Sequence, residues 1–132
     1  ERVSQMGWTW QPEGLYRALQ RYAVLNRPMY VTENGIGTLD DLERVRFVAE
    51  HLRMVSLAIE HGMDIRGYLY WSLIDNFEWA CGFRPRFGLV HVDYESLKRT
   101  VKPSARFLAE VIQQGAVTKA LMEKYLPESY RF

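Results

Sequence analysis

A chain of 132 residues is long enough for one ordinary domain, and its 48% hydrophobic and 25% charged residues are typical of a folded protein, not a disordered one. Seventeen basic and sixteen acidic residues give a net charge of +1, which excludes an electrostatic basis for binding nucleic acid or an anionic membrane. No apolar run approaches the roughly 20 residues that a membrane span requires.

The single cysteine, Cys81, rules out a disulfide within the chain and a cysteine-based zinc cluster. The first residues lack the basic and then apolar pattern of a signal peptide, and one cysteine fits a reducing compartment, so a cytoplasmic location is expected. The chain starts with Glu1 and not with Met, and we therefore expect it to begin within a longer protein.

The first predicted elements are a helix and a strand. Pro12 suits the first turn of a helix over residues 13–25, where apolar residues recur every three or four positions. Residues 29–32 predict a short apolar strand, and the glycines of residues 34–37 predict a turn. Glu33 therefore stands at the carboxyl end of a strand, from which a barrel enzyme presents side chains to its pocket. The alternative is a surface Glu beside a turn.

A second helix and a second strand follow. Residues 41–61 place apolar side chains along one face and charged ones along the other, which predicts an amphipathic helix ending at Gly62. Residues 66–73 predict the strand. In the polar and aromatic loop beyond it, residues 87–94 alternate well enough to form one arm of a small hairpin.

The whole pattern indicates α/β architecture with parallel strands. Pro103 opens a third helix, and a weaker helical pattern covers residues 117–126. Two strands cannot form a stable parallel sheet with both faces covered, and a (β/α)₈ TIM barrel takes roughly 250 residues. We therefore expect about a quarter of the strands of such a barrel, which is not a complete fold alone.

Three motifs follow one another on these elements: TENG at residues 32–35, WSLIDNFEW at residues 71–79 and RFGLVHVDY at residues 86–94. In this order and spacing they resemble the C-terminal part of glycoside hydrolase family 1, and the resemblance covers roughly residues 6–112. It implies a retaining β-glycosidase, β-glucosidase-like, to whose (β/α)₈ barrel this chain contributes strands seven and eight with their flanking helices.

The resemblance also assigns roles to residues. Glu33 matches the nucleophile, which forms a covalent glycosyl-enzyme ester that water later opens. Trp71 matches the platform under the apolar face of the sugar, Glu78 the acceptor for its outer hydroxyls, and Trp79 a donor through its indole N–H. Phe87 matches a position near the exocyclic group of the sugar. Core packing is the alternative for the tryptophans, and a plain wall of the pocket is the alternative for Phe87.

Other residues are expected to have structural roles. Asp75 and Asn76 should hold their loop by local hydrogen bonds, and Trp8 and Trp10 should pack at the entry to the first helix. The histidines lack ligand-like partners, and the glycosidase chemistry requires no cofactor, so neither a metal nor a cofactor is expected. These histidines are His51, His61 and His91.

A 6-phospho-β-glycosidase is an open alternative, because Arg84 and Arg86 could recognise a phosphate. Members of that branch usually lack a Glu at the position of Glu78, since its charge would repel the phosphate. The sequence therefore favours an unphosphorylated sugar, without indicating which one.

The acid/base carboxylate of the family lies in an Asn-Glu-Pro motif, and the chain has no such triplet. General acid assistance typically contributes 10²–10⁴-fold, so the isolated chain should be very slow. We therefore expect residues 1–132 to be the C-terminal segment of a single barrel domain. Its partners would be a β-glycoside and an N-terminal fragment that supplies the acid/base Glu. The remaining alternative is a non-catalytic carbohydrate-binding or structural fragment.

Overall fold

The computed structural model describes residues 3–131, in which helices and strands alternate as far as Tyr70, and two short strands and two helices follow. The elements are α1 (Pro12–Ala23), β1 (Met29–Asn34), α2 (Asp41–Glu60), β2 (Ile65–Tyr70), β3 (Val90–Val92), β4 (Arg99–Val101), α3 (Pro103–Gln114) and α4 (Lys119–Tyr125). The predicted helices are therefore present, with ends that differ by at most two residues.

The helix ends follow local chemistry. Pro12 and Pro103 occupy the first turns of α1 and α3, where the N–H that proline lacks would have no partner within the helix. Asp40 caps α2 by accepting a hydrogen bond from the backbone N–H of Leu42 at 2.9 Å. Gly115 ends α3 in the left-handed conformation, with φ of 65°.

β1 and β2 pair in parallel, and α2 makes the connection between them. The second strand is shorter than predicted, because the backbone of residues 72–74 leaves β1 after Trp71. This backbone bonds instead to the residues at the start of β3, with Leu89 N donating to Ser72 O at 3.0 Å and Val90 N to Leu73 O at 2.9 Å. The predicted hairpin arm reduces to β3, whose antiparallel partner is β4.

Helix α2 takes part in both apolar cores. In one core it packs with α3 and α4, and in the other with α1 and β1. The first core contains Val45, Val48, Ala49, Phe107, Val111, Leu121 and Leu126, and the second contains Leu19, Val31, Val55 and Ala58. The helices thus cover one face of the β1–β2 pair.

The opposite face of the pair is open. Tyr30 on β1 and Leu69 on β2 are more than half exposed, although both are large and apolar. Within residues 3–131 each of the two strands also has one edge without a strand partner. Parallel sheets are normally covered on both faces, so an open face of this kind is unusual. None of the described helices is long and apolar enough to cross a membrane.

Candidate active site

The carboxyl ends of β1 and β2 open into a cleft of about 530 Å³. The N-terminal segment and the inner side of α2 complete its walls. All five residues that the sequence analysis selected line this cleft: Glu33, Trp71, Glu78, Trp79 and Phe87. Parallel pairing explains the meeting, because it places the ends of both strands at one edge of the sheet.

Glu33 lies at the penultimate position of β1, with an exposed side chain. The next residues connect it closely to the end of β2, since Trp71 N donates to Asn34 O at 3.0 Å. Gly35 makes this approach possible, because a Cβ there would lie 1.7 Å from the carbonyl oxygen of Trp71. The carboxylate and the indole are thereby held on adjacent strand ends.

Two half-buried tyrosines support these strand ends. Tyr68 donates its hydroxyl to Oδ1 of Asn34 at 2.7 Å, and burial raises the pKa of this tyrosine. Tyr70 donates to the carbonyl of Phe87 at 3.1 Å, and burial raises its pKa to about 12. Both therefore act as neutral donors.

Glu78 and Trp79 occupy a tight turn above the cleft. The backbone N–H of Glu78 donates to Gly82 O at 2.7 Å, and Asn76 Nδ2 donates to Glu78 Oε2 at 2.8 Å. Trp79 is 81% exposed and has a positive φ of 44°, so its ring stands away from the described core. Core packing, the alternative for this tryptophan, is therefore wrong for the described chain.

Phe87 is different, because its ring is only 2% exposed. It packs against Gly37, where a Cβ would lie 3.2 Å from the ring, and its centroid is 6.4 Å from that of Trp8. The ring therefore forms part of the wall of the cleft.

Asp75 anchors the loop of Glu78 through partners that are distant in the sequence. Its fully buried carboxylate accepts hydrogen bonds from the N–H of Gly88 at 2.9 Å and from Arg86 at 3.0 Å, and it lies 3.2 Å from Nζ of Lys102 and 3.3 Å from Nδ1 of His91. The expectation of local hydrogen bonds holds for Asn76 but is wrong for Asp75, because its partners come from the segments around β3 and β4.

The charge of this carboxylate is stabilised. Burial alone would raise the pKa of Asp75, but the positive charge of Lys102 and the N–H groups of Val92 and Gly88 outweigh it, and the pKa lies below its usual value. Arg86 is committed to this site, since it also donates to Val92 O at 2.9 Å and stacks over Tyr94. His91 is about half exposed and lies beside the same carboxylate.

A buried arginine joins the two loops that carry the predicted site residues. Nη2 of Arg44 donates to the carbonyl oxygens of Thr38 and Arg86, both at 2.6 Å, and Nη1 pairs with Asp41 at 2.6 Å. Asp41 also accepts from Ser104 in the first turn of α3. The sequence did not single out Arg44, whose side chain is only 1% exposed.

The cleft contains aromatic residues that the sequence analysis placed elsewhere. Trp8 and Trp10 line it instead of only packing at the entry to α1; Trp10 lies edge-on to Phe47 and donates to Glu50 at 2.7 Å. His51 stacks on Phe47 with centroids 3.8 Å apart, and burial lowers the pKa of this histidine. In the sequence, only the close spacing of Trp8 and Trp10 could have indicated that these aromatic residues line the cleft. No cluster of His, Cys, Asp and Glu among residues 3–131 could hold a metal ion.

The family model "Glycosyl hydrolase family 1" matches residues 1–116. The chain is 48% identical over 119 residues to a β-galactosidase of Saccharolobus solfataricus, covering 88% of this chain and 24% of the relative. It is 37% identical to β-glucosidase A of Thermotoga maritima, covering 85% of this chain and 28% of that enzyme. The chain thus spans about a quarter of the length of these curated relatives.

Solved structures give the same result. A β-glycosidase from Pyrococcus horikoshii superposes with a TM-score of 0.90 at 48% identity, covering 99% of this chain and 31% of that one. A β-glucosidase from Thermotoga maritima in complex with glucoimidazole superposes with a TM-score of 0.85 at 37% identity, covering 88% of this chain and 29% of that one. The described fold is therefore similar to one part of these larger (β/α)₈ barrels.

Proposed function

Because this chain belongs to glycosyl hydrolase family 1, we propose that it carries the nucleophile and part of the sugar site of a retaining β-glycosidase. The substrate would be a β-glycoside with a terminal non-reducing sugar. The observation that carries the proposal is the meeting of Glu33 with Trp71, Glu78 and Trp79 in one cleft at the carboxyl ends of parallel strands.

The chemistry proceeds in two displacements at the anomeric carbon. A carboxylate oxygen of Glu33 attacks this carbon, and the leaving-group oxygen departs with the bonding electrons and takes a proton from a second carboxylic acid. Water then attacks the same carbon, the ester bond to Glu33 breaks, and the second carboxylate accepts the proton from the water. In a retaining enzyme the two carboxyl groups lie about 5–5.5 Å apart.

The cleft has side chains suited to hold a sugar. The exposed ring of Trp71 offers an apolar plane to the C–H face of a pyranose, and the carboxylate of Glu78 accepts hydrogen bonds from hydroxyl groups. The indole N–H of Trp79 donates a hydrogen bond, and Phe87 closes the wall. Two of the similar β-glucosidase structures from Thermotoga maritima are complexes, one with deoxynojirimycin and the other with glucoimidazole.

The second carboxylic acid comes from outside this chain in the proposed enzyme. No Asn-Glu-Pro triplet occurs in the sequence, and the open face and edges of the β1–β2 pair are suited to pair with further strands. The proposed partner is therefore the N-terminal part of the same barrel, which would complete the sheet and supply the acid/base Glu.

An unphosphorylated sugar fits the cleft better than a 6-phosphorylated one. Arg86 is bound to Asp75 and is not available to a phosphate, and the carboxylate of Glu78 would repel the phosphate charge. A 6-phospho-β-glycosidase is therefore the disfavoured alternative.

Trapping the covalent intermediate tests the proposal. The chain is incubated with a 2-deoxy-2-fluoro β-glycoside, alone and with the remaining part of the barrel, and labelled peptides are identified by mass spectrometry. We expect labelling at Glu33 in the assembled protein only. The Glu33→Gln variant should remain unlabelled, while Glu95→Gln, which changes an exposed Glu in the hairpin loop, should be labelled like the wild type. Absence of label from the assembled wild type would favour a non-catalytic fragment.

A further inference from the structure

Asn76 lies directly behind the carboxylate that is proposed to bind the sugar hydroxyls. Its Nδ2 donates to Oε2 of Glu78 at 2.8 Å and contacts the carbonyl of Phe77 at 3.3 Å. On its other side, Oδ1 of Asn76 lies 3.1 Å from the hydroxyl of the buried Ser72. The side chain thus bridges the end of β2 and the turn of Glu78.

The surroundings determine the orientation of this amide. Rotating it by 180° would point Oδ1 at both the carboxylate of Glu78 and the carbonyl of Phe77, which would place oxygen against oxygen at hydrogen-bond distance. In the observed orientation Nδ2 faces these two acceptors, and Oδ1 shares the hydroxyl of Ser72 with the carbonyl of Ile74. An aspartate of the same shape would place a second negative charge beside Oε2.

Glu78 has one tethered and one untethered carboxylate oxygen. Among residues 3–131, Oε2 accepts the hydrogen bond from Asn76, and Oε1 accepts none. The backbone of Glu78 is already held by hydrogen bonds with Gly82 and Cys81. The remaining freedom is rotation of the side chain, and the hydrogen bond from Asn76 restricts that rotation.

We propose that Asn76 is a positioning residue that holds Oε2 of Glu78 and leaves Oε1 to accept the sugar hydroxyls. This inference rests on the proposed function, because it assigns Asn76 to the binding of the sugar through Glu78. Asn76 itself touches no reacting atom. Asn76 should therefore contribute to kcat/KM only when the carboxylate of Glu78 and the sugar hydroxyl that this carboxylate binds are both present.

The test is a double-mutant cycle in the assembled barrel, with Asn76→Ala, Glu78→Ala and the double variant, measured on an aryl β-glycoside and its monodeoxy analogues. Asn76→Ala should lower kcat/KM by about 10- to 100-fold, the range expected for losing a hydrogen bond to a charged group. In the Glu78→Ala background the same substitution should change kcat/KM less than about twofold. The loss should also vanish on the deoxy analogue that Glu78→Ala no longer discriminates.

Two further variants address loop structure. Tyr94→Phe removes a hydrogen bond to the backbone carbonyl of Asn76 at 3.4 Å without touching Glu78, and it should change kcat/KM less than about threefold. Asn76→Asp keeps the shape of the side chain and should lose at least as much kcat/KM as Asn76→Ala, because the two carboxylates repel. If Asn76→Ala does not fold, Asn76→Asp takes its place in the double-mutant cycle.

The outcomes separate the two proposals. If the wild-type assembly is active, the positioning role alone is overturned in either of two cases. In one, Asn76→Ala lowers kcat/KM by the same factor with Glu78 present and with Glu78→Ala; in the other, it does not lower kcat/KM at all. A wild-type assembly without glycosidase activity would overturn the proposed function, and the inference with it.

Discussion

Glu33 lines the cleft and contributes little to the fold. It is exposed at the end of β1, and within the described part of the chain its carboxylate accepts no hydrogen bond. Such a side chain can change without loss of packing, whereas its proposed chemistry has no substitute. Stability and activity should therefore respond differently to its replacement.

Replacing Glu33 by Ala in the assembled barrel should lower kcat by at least about 10⁴-fold, because no other group can form the ester. The free energy of unfolding should change by less than about 0.5 kcal/mol, as is usual for an exposed side chain. Steady-state kinetics and thermal unfolding measure the two effects. Retained turnover together with a large loss of stability would contradict the assignment.

Asp75 should behave in the opposite way. Asp75→Asn leaves Arg86 and Lys102 buried or half-buried without their counter-charge, and we expect a loss of about 3–5 kcal/mol in the free energy of unfolding. Because the pKa of Asp75 is lowered in the folded state, its contribution is present above the unfolded value of about 3.9 and is lost as the pH falls through the folded value.

Thermal unfolding of the wild type and of Asp75→Asn between pH 7 and pH 2 measures this contribution. The difference between the two proteins should be largest near neutral pH and should shrink on acidification below about pH 4. A constant difference across this range would show that the charge of Asp75 does not matter.

The strands determine the relative positions of Glu33 and Trp71, and a substitution of Gly35 tests this. A Cβ at Gly35 would lie 1.7 Å from the carbonyl oxygen of Trp71, so Gly35→Ala must move one strand end. We expect a loss of at least about 3 kcal/mol in the free energy of unfolding, or failure to assemble. Gly14→Ala is the matched control in α1, where the nearest atom would be 3.9 Å away, and it should stabilise by about 0.4–1 kcal/mol.

The C-terminal segment beyond the family-model match is part of the core. Leu126 packs against α2 and α3 and is 1% exposed. The hydroxyl of Tyr130 donates a hydrogen bond to Asp40, the capping residue of α2, at 2.7 Å. Leu126→Ala should therefore cost about 2–5 kcal/mol of unfolding free energy. Ile112→Ala, at a position that is 72% exposed, should cost less than about 1 kcal/mol. Equal effects in thermal unfolding would contradict the packing of this segment.

At the scale of the molecule the described chain has a candidate active-site cleft but only two paired parallel strands. Tyr30 and Leu69 remain exposed, and both strands have an open edge. A proposed enzyme built in this way needs the remaining strands both for stability and for the acid/base carboxylate.

We therefore expect the chain alone to hydrolyse an aryl β-glycoside at least about 10²–10⁴-fold more slowly than the chain assembled with the N-terminal part of the barrel. Initial rates with and without that part measure the difference. Full activity of the chain alone would contradict the need for a second polypeptide.

The sequence by itself determined the elements and the identity of the five predicted cleft residues. Amphipathic spacing, prolines at helix starts and glycines at turns are local signals, because they depend on neighbours within a few residues. Glu33 was selected in this way, from a strand followed by a turn, and the motifs around Trp71 and Glu78 then placed the chain in its family.

Only the tertiary structure decided how these residues are held. The contact of Asp75 with Lys102, the link from Arg44 to the carbonyl of Arg86, and the packing of Leu126 on α2 join segments 27 or more residues apart. No local pattern distinguishes such a residue from an exposed one. The tertiary fold buries Arg44 of α2 between two backbone carbonyls, and it brings Trp8, Trp10 and His51 to the cleft. The spacing of these residues in the sequence does not predict this, because the free energy of a buried charge or ring depends on the groups that surround it.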